Sequence, residues 1–174
     1  MAKAPLSPAA WIEAGLTQLT ATGPMALRAE PLSRHLKTSK GSFYWHFKDV
    51  PAFQAALLAE WKDRAMAKLA EDADMDGSDT DKMIRFGQTV QGDVAGPALR
   101  AWAQSDKSVA KTIAAVDEAR LKQLLGLMKG IGVSNEDFAR AVYGALVGLK
   151  QMNSDDGDAL VAFAALVDLV IALK

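Results

Sequence analysis

Apolar residues along this chain recur at helical spacing and are divided by helix-type punctuation. The first helix is predicted over 8–21, with Ser7 as N-cap, Pro8 at the first helical position and an apolar face of Ile12, Leu16 and Leu19. Gly23-Pro24 ends it. A short helix follows over 29–36, with Pro31 tolerated in its first turn. After a turn at Lys37-Thr38, Ser39 caps a third helix over 40–45. Asp49 caps a fourth that runs to residue 71 and carries Phe53, Leu57, Leu58 and Trp61. Residues 72–81 read as an acidic loop. Further helices are predicted over 82–91, 97–104 and 106–129, the last with Val109, Ile113, Val116, Leu124 and Met128 on its apolar side. Ser134, with Asp137 three residues on, resembles a capping box for a helix reaching Met152. Ser154-Asp155-Asp156 opens the final helix. No alternating pattern marks a strand, so the fold class is all-α with about nine helices.

Composition narrows the function. Half of the 174 residues are hydrophobic, enough for a substantial core. The absence of cysteine excludes disulfides, thiolate zinc sites and a cysteine nucleophile, and it fits a cytoplasmic setting. No secretory h-region opens the chain, and no run of about 18 apolar residues implies a membrane span. The net charge of −1 hides a division. Residues 1–50 hold six Lys/Arg against three acids, or +3, while the remainder holds 14 against 18, or −4. The basic part, with both histidines, suits contact with an anion.

That part contains Leu27–Lys48, LRAEPLSRHLKTSKGSFYWHFK. Two short helices joined by a tight turn and preceded by a supporting helix form a helix-turn-helix, whose second helix would lie in the major groove. Phe43 and Phe47 lie four residues apart and can face Leu16, Leu32 and Leu36, forming a small core. Ser39, Lys40, Ser42, Tyr44, Trp45, His46 and Lys48 are left for the outer face. Lys40 can reach guanine acceptors or phosphate, Ser39, Tyr44, His46 and Lys48 are phosphate-type donors, and Gly41 leaves room for backbone to approach the duplex. Arg28 and Thr38 complete the candidate DNA-binding set. A run of adjacent aromatics cannot all fit the single stripe that so short a helix buries, which argues against a purely structural role.

The order of these residues resembles the TetR family of transcriptional repressors. Leu32-Ser33 fall at its small apolar pair, and Gly41-Ser42-Phe43-Tyr44-Trp45-His46-Phe47-Lys48 match the end of its motif. The likeness covers about 50 residues. It departs from the pattern at Lys37-Thr38, where Gly-Val is usual, and at Val50-Pro51, where a lysine is usual. A lysine in a left-handed turn position costs about 1 kcal/mol. The resemblance implies a helix-turn-helix domain over 1–50 and a helical effector-binding and dimerisation body over 51–174. It implies a homodimer bound to palindromic double-stranded operator DNA and released by a small-molecule effector.

In the body, residues 159–173 are apolar on nearly every side except Asp168, and a helix apolar all round must be covered all round. With the preceding helix it reads as a dimer interface of Phe138, Val142, Ala145, Leu149, Leu160, Phe163, Val167 and Val170, with Gly144 and Gly148 permitting close approach. Trp61, Met83, Phe86, Trp102 and Met128 are candidate lining residues of the effector pocket that the resemblance implies, and equally ordinary core residues. The alternative is a helical DNA-binding or protein-interaction module without a small-molecule ligand.

Two other signals carry less. Asp72-Ala73-Asp74-Met75-Asp76-Gly77 matches the opening of a calcium loop, and Thr80 falls at its ninth position, but Met83 stands where the closing bidentate carboxylate belongs. No metal site is expected. Both histidines lie in the DNA-reading segment and no catalytic constellation is present, so neither an enzyme nor a cofactor is expected.

Overall fold

Nine α-helices and no strand occur among the described residues of the computed structural model, which are 6–152 and 156–172. They are α1 (Pro8–Thr22), α2 (Ala29–His35), α3 (Lys40–His46), α4 (Val50–Asp74), α5 (Asp79–Gln91), α6 (Gly96–Ala103), α7 (Lys107–Gly130), α8 (Glu136–Gln151) and α9 (Asp156–Ala172). A single 3-10 turn, Pro24–Ala26, follows α1. Two units form, one from residues 1–63 and 95–113, the other from 64–94 and 114–174.

Local chemistry sets most of the boundaries. The Ser7 hydroxyl accepts the Ala10 N–H at the start of α1, and Gly23 ends that helix at φ 84°. Ser39 caps α3 by accepting the Ser42 N–H, and Asp49 caps α4 by accepting the Ala52 N–H at 2.7 Å. Asp106 does the same for α7, its Oδ1 accepting from the N–H groups of Ser108 and Val109.

The acidic loop expected over 72–81 is far shorter. Residues 72–74 continue α4, and α5 starts at Asp79. The cause is a capping box. Ser78 Oγ accepts the Asp81 N–H, while Asp81 Oδ2 accepts the Ser78 N–H at 3.0 Å. The capping box expected at Ser134 is replaced by Asn135, whose Oδ1 accepts the Phe138 N–H at 2.9 Å. Ser154 and Asp155, expected to open the last helix, lie outside the described residues.

In the first unit α1 packs on α2 and α6. Its buried residues are Trp11, Ala14, Gly15 and Leu19, while Ile12 and Leu16 are only half-buried, so the inward stripe is centred one position before the expected one. Gly15 is required by close approach. A Cβ there would stand 2.6 Å from Leu57 Cδ1 and 2.7 Å from Phe53 Cζ of α4.

The second unit buries one continuous core, in which Leu69, Met83, Phe86, Val90, Leu124, Met128, Val142, Leu146, Phe163 and Val167 take part. α9 packs against α5 and α8, its Phe163 ring lying over the backbone at Gly87. Polar groups within this unit are paired between segments distant in sequence. Arg120 Nη2 donates to Asp93 Oδ2 at 2.9 Å, and Tyr143 Oη donates to Asp117 Oδ1 at 2.6 Å. Gln91 Nε2 donates to the Leu146 carbonyl at 2.7 Å and Gln123 Nε2 to the Leu69 carbonyl at 3.2 Å. Asp72, expected in a loop, is buried, accepts from the Thr89 hydroxyl and is paired with Lys68 at 3.4 Å.

Candidate nucleic-acid interface

The second short helix of the pair, α3, is fixed from behind by aromatic packing. Phe43 is fully buried, its ring centroid 5.4 Å from Trp11, 5.3 Å from Phe53 and 5.4 Å from Phe47. Phe47 in turn meets Phe53 at 5.0 Å. Trp11 and Phe53 were not in the expected small core. They anchor α3 from α1 and α4, and Leu16, expected there, is half-buried. Leu32 and Ser33 of α2 are buried, with the Ser33 hydroxyl donating to the Ala29 carbonyl.

The turn between the helices closes in a Schellman arrangement. The Thr38 N–H reaches the Ser33 carbonyl at 2.9 Å and the Lys37 N–H the Arg34 carbonyl at 3.2 Å. This geometry needs a left-handed residue after the C-cap, and Lys37 supplies it at φ 53°, the only described non-glycine residue with positive φ.

With one side of α3 committed, the other is in water. Lys40, Gly41, Tyr44, Trp45 and Lys48 are exposed, Trp45 to 84%, and Ser42 and His46 are half-buried. Ser39 is exposed and Thr38 half-buried in the preceding turn. Arg28 is exposed at the N-cap of α2, with Nη2 3.8 Å from Met25 Sδ. The nominated DNA-facing residues therefore cluster on α3 and the segments leading into it and α2. A residue not nominated also belongs here. Glu30 Oε2 accepts from Lys40 Nζ at 2.8 Å, and its Oε1 lies 3.3 Å from Arg34 Nη2. The hydrogen bond from Lys40, followed by that lysine's charge, holds the Glu30 carboxyl below the usual range. Its helical spacing to Arg34 was visible in the sequence. The ten-residue reach to Lys40 was not.

The other nominated residues divide differently. Met83, Phe86 and Met128 share the core of the second unit, whereas Trp61 and Trp102 are buried in the first. Arg120 and Gln91, buried polar residues of the second unit, were not nominated. Arg120 sits four residues from both Val116 and Leu124, in the gap of the apolar stripe of α7, a signal that sequence periodicity holds.

Of the residues expected at a dimer interface, Val142, Phe163, Val167 and Val170 are interior to a single chain and lie behind any face that α8 and α9 offer. A helix apolar all round has an inward stripe as well as an outward one. In α9 the inward stripe is Ala159, Phe163, Val167 and Val170. What remains outside is Ala145 exposed, Phe138, Leu149 and Leu160 half-buried, and Val161, Ala165 and Leu169 exposed.

No protein-family model and no curated protein sequence matches the chain. Solved structures do. A protein from a Rhodococcus species described as a TetR-family transcriptional regulator aligns with TM-score 0.76 at 21% identity, covering 94% of this chain and 98% of that one. A TetR/AcrR-family transcriptional regulator from Aquifex aeolicus VF5 aligns with TM-score 0.73 at 14% identity, over the same shares. The all-helical architecture of this chain is the fold those regulators share.

Proposed function

We propose that this protein is a TetR-type transcriptional regulator, a repressor that binds palindromic operator DNA as a homodimer and is released by a small molecule. One observation carries the reading: α3 is clamped from behind by Phe43 and Phe47, while Lys40, Tyr44, Trp45 and Lys48 project into water. A rigid short helix with cations and aromatic donors on its free side suits the major groove. The likeness of fold to transcriptional regulators supports it over nearly the whole chain.

The homodimer is supported by α8 and α9. A Cβ on Gly144 or Gly148 would meet nothing within 4 Å, so neither glycine is needed for packing within the chain. Together with Ala141 and Ala145 they leave a smooth strip that a second copy could approach closely. Two copies related by a two-fold axis would set their reading helices about 34–36 Å apart, one turn of DNA.

The effector reading rests on the second unit, where an apolar interior holding Met83, Phe86 and Met128 also contains buried polar groups. Among the described residues, Arg120 Nε and the side-chain carbonyls of Gln91 and Gln123 have no hydrogen-bond partner. A moderately apolar molecule bearing polar groups suits such an interior. Helix α4 runs through both units as one continuous element, which gives a ligand-biased helix a covalent route to the DNA-reading unit.

The test is fluorescence anisotropy of the purified protein with a selected duplex pool and random duplexes over a salt series. Sequence-selective binding that weakens steeply with salt, and is lost in a Tyr44→Ala/Lys48→Ala double variant, is the expected result. A folded dimer that binds nothing above the non-specific level at low salt would overturn the proposal.

A further inference from the structure

Glu30 is the one acid between Arg28 and Lys48, a segment that otherwise holds five Lys/Arg. It lies in the first turn of α2 and engages two of those five cations, Lys40 at 2.8 Å and Arg34 at 3.3 Å. Lys40 is the first residue of α3, where the N-terminal residues of a reading helix meet base edges. The pair stands in water, the Lys40 side chain 57% and the Glu30 side chain 58% exposed, so the contact is weak and open to exchange. A phosphate or a guanine edge presented to Lys40 competes directly with the carboxylate.

We propose that Glu30 is a specificity-determining residue of the DNA-reading surface, an internal carboxylate that holds Lys40 until a matching groove offers it a better partner. On a random duplex a phosphate offers Lys40 little more than Glu30 already does, so the pair persists and Lys40 adds little to binding. At the matching site it also gains the base edge, so the ratio of the two affinities widens. Glu30 lowers overall affinity and raises discrimination. This inference rests on the DNA-binding reading above. An acid in the first turn also favours α2 through the helix dipole, a structural role that by itself changes neither the salt slope nor the selectivity.

Anisotropy on the full chain, with a selected and a random duplex over a salt series, separates these roles. Glu30→Gln is expected to raise random-duplex affinity roughly 3–5-fold at low salt, to steepen the log–log salt slope by about 0.9, and to shrink the selected-to-random ratio. In a Lys40→Met background the same substitution is expected to change random-duplex affinity less than about 2-fold, because the freed cation is gone. Glu30→Asp keeps the charge in the first turn of α2 but withdraws the carboxylate from Lys40. It is expected to lose part of the selectivity with melting unchanged, so the test survives any loss of stability in Glu30→Gln. An unchanged selected-to-random ratio in Glu30→Gln, or an equal effect in the Lys40→Met background, overturns the inference while leaving DNA binding intact. A wild-type chain that binds neither duplex overturns the DNA-binding reading itself, and this inference with it.

Discussion

Lys37 holds a backbone conformation that glycine adopts without cost. At φ 53° its Cβ is crowded, and L-residues pay about 1–2 kcal/mol there. The surrounding hydrogen bonds, Thr38 N–H to Ser33 and Lys37 N–H to Arg34, enforce that conformation. Lys37→Gly is therefore expected to stabilise the protein by about 1 kcal/mol, read as a higher urea midpoint at unchanged m value. If Lys37 meets phosphate, the same variant binds DNA more weakly, with a salt slope shallower by about 0.9. A glycine that stabilises the fold while weakening the complex would explain why a strained lysine is kept at the turn. This strain was legible in the sequence through the resemblance, whose pattern has a glycine where this chain has Lys37. Trp11 was not. Stripes at 11–15–19 and 12–16–19 differ by one residue, and the deciding contact is with Phe43, 32 positions away.

At the scale of helices, capping chemistry fixed several boundaries more sharply than periodicity could. Ser78 and Asp81 place the start of α5 at Asp79, three residues before the apolar pattern suggests. The signature was present in the sequence, but the surrounding acids gave the stretch the look of a solvated loop. Ser78→Ala is expected to cost about 1 kcal/mol in thermal or urea melting. Acid should act on the same feature. The Asp81 carboxyl is held below the usual range by the Ser78 hydroxyl and then the Ser78 N–H. The Asp106 carboxyl is held down by the Ser108 hydroxyl and then the Val109 N–H. A carboxyl depressed in the folded state contributes stability above its unfolded value and loses it as pH falls through its folded value. The stability gap between wild type and Asp81→Asn should therefore be full at neutral pH. It should narrow as pH drops below the ordinary aspartate range, measured by melting at a series of pH values. A gap independent of pH would exclude the carboxylate as the stabilising group.

For the whole molecule, the last two helices separate folding from the proposed assembly. Phe163 faces inward, and its truncation to alanine removes a fully buried ring, costing about 3–5 kcal/mol. Leu169 and Ala145 face outward. Leu169→Glu or Ala145→Arg is expected to convert the proposed dimer to a monomer of unchanged helicity, seen by sedimentation together with circular dichroism. Palindromic DNA affinity should fall with it, because one reading helix per particle remains. The all-helical class and the order of elements were legible from spacing and punctuation. The assignment of apolar residues in α8 and α9 to inside or outside was not, since every residue of α9 from Ala159 on except Asp168 is apolar and only packing against α5 and α8 selects the stripe.

The distribution of the four tryptophans gives the molecule a native optical label. Trp11, Trp61 and Trp102 are buried, whereas the Trp45 indole stands in water on α3. An aqueous quencher such as iodide reaches one emitter in four, and that emitter lies on the face proposed to enter the groove. Shielding of the red-edge emission would thus report occupancy of that face without any attached dye, and the three shielded indoles would report whether the fold around it has stayed closed.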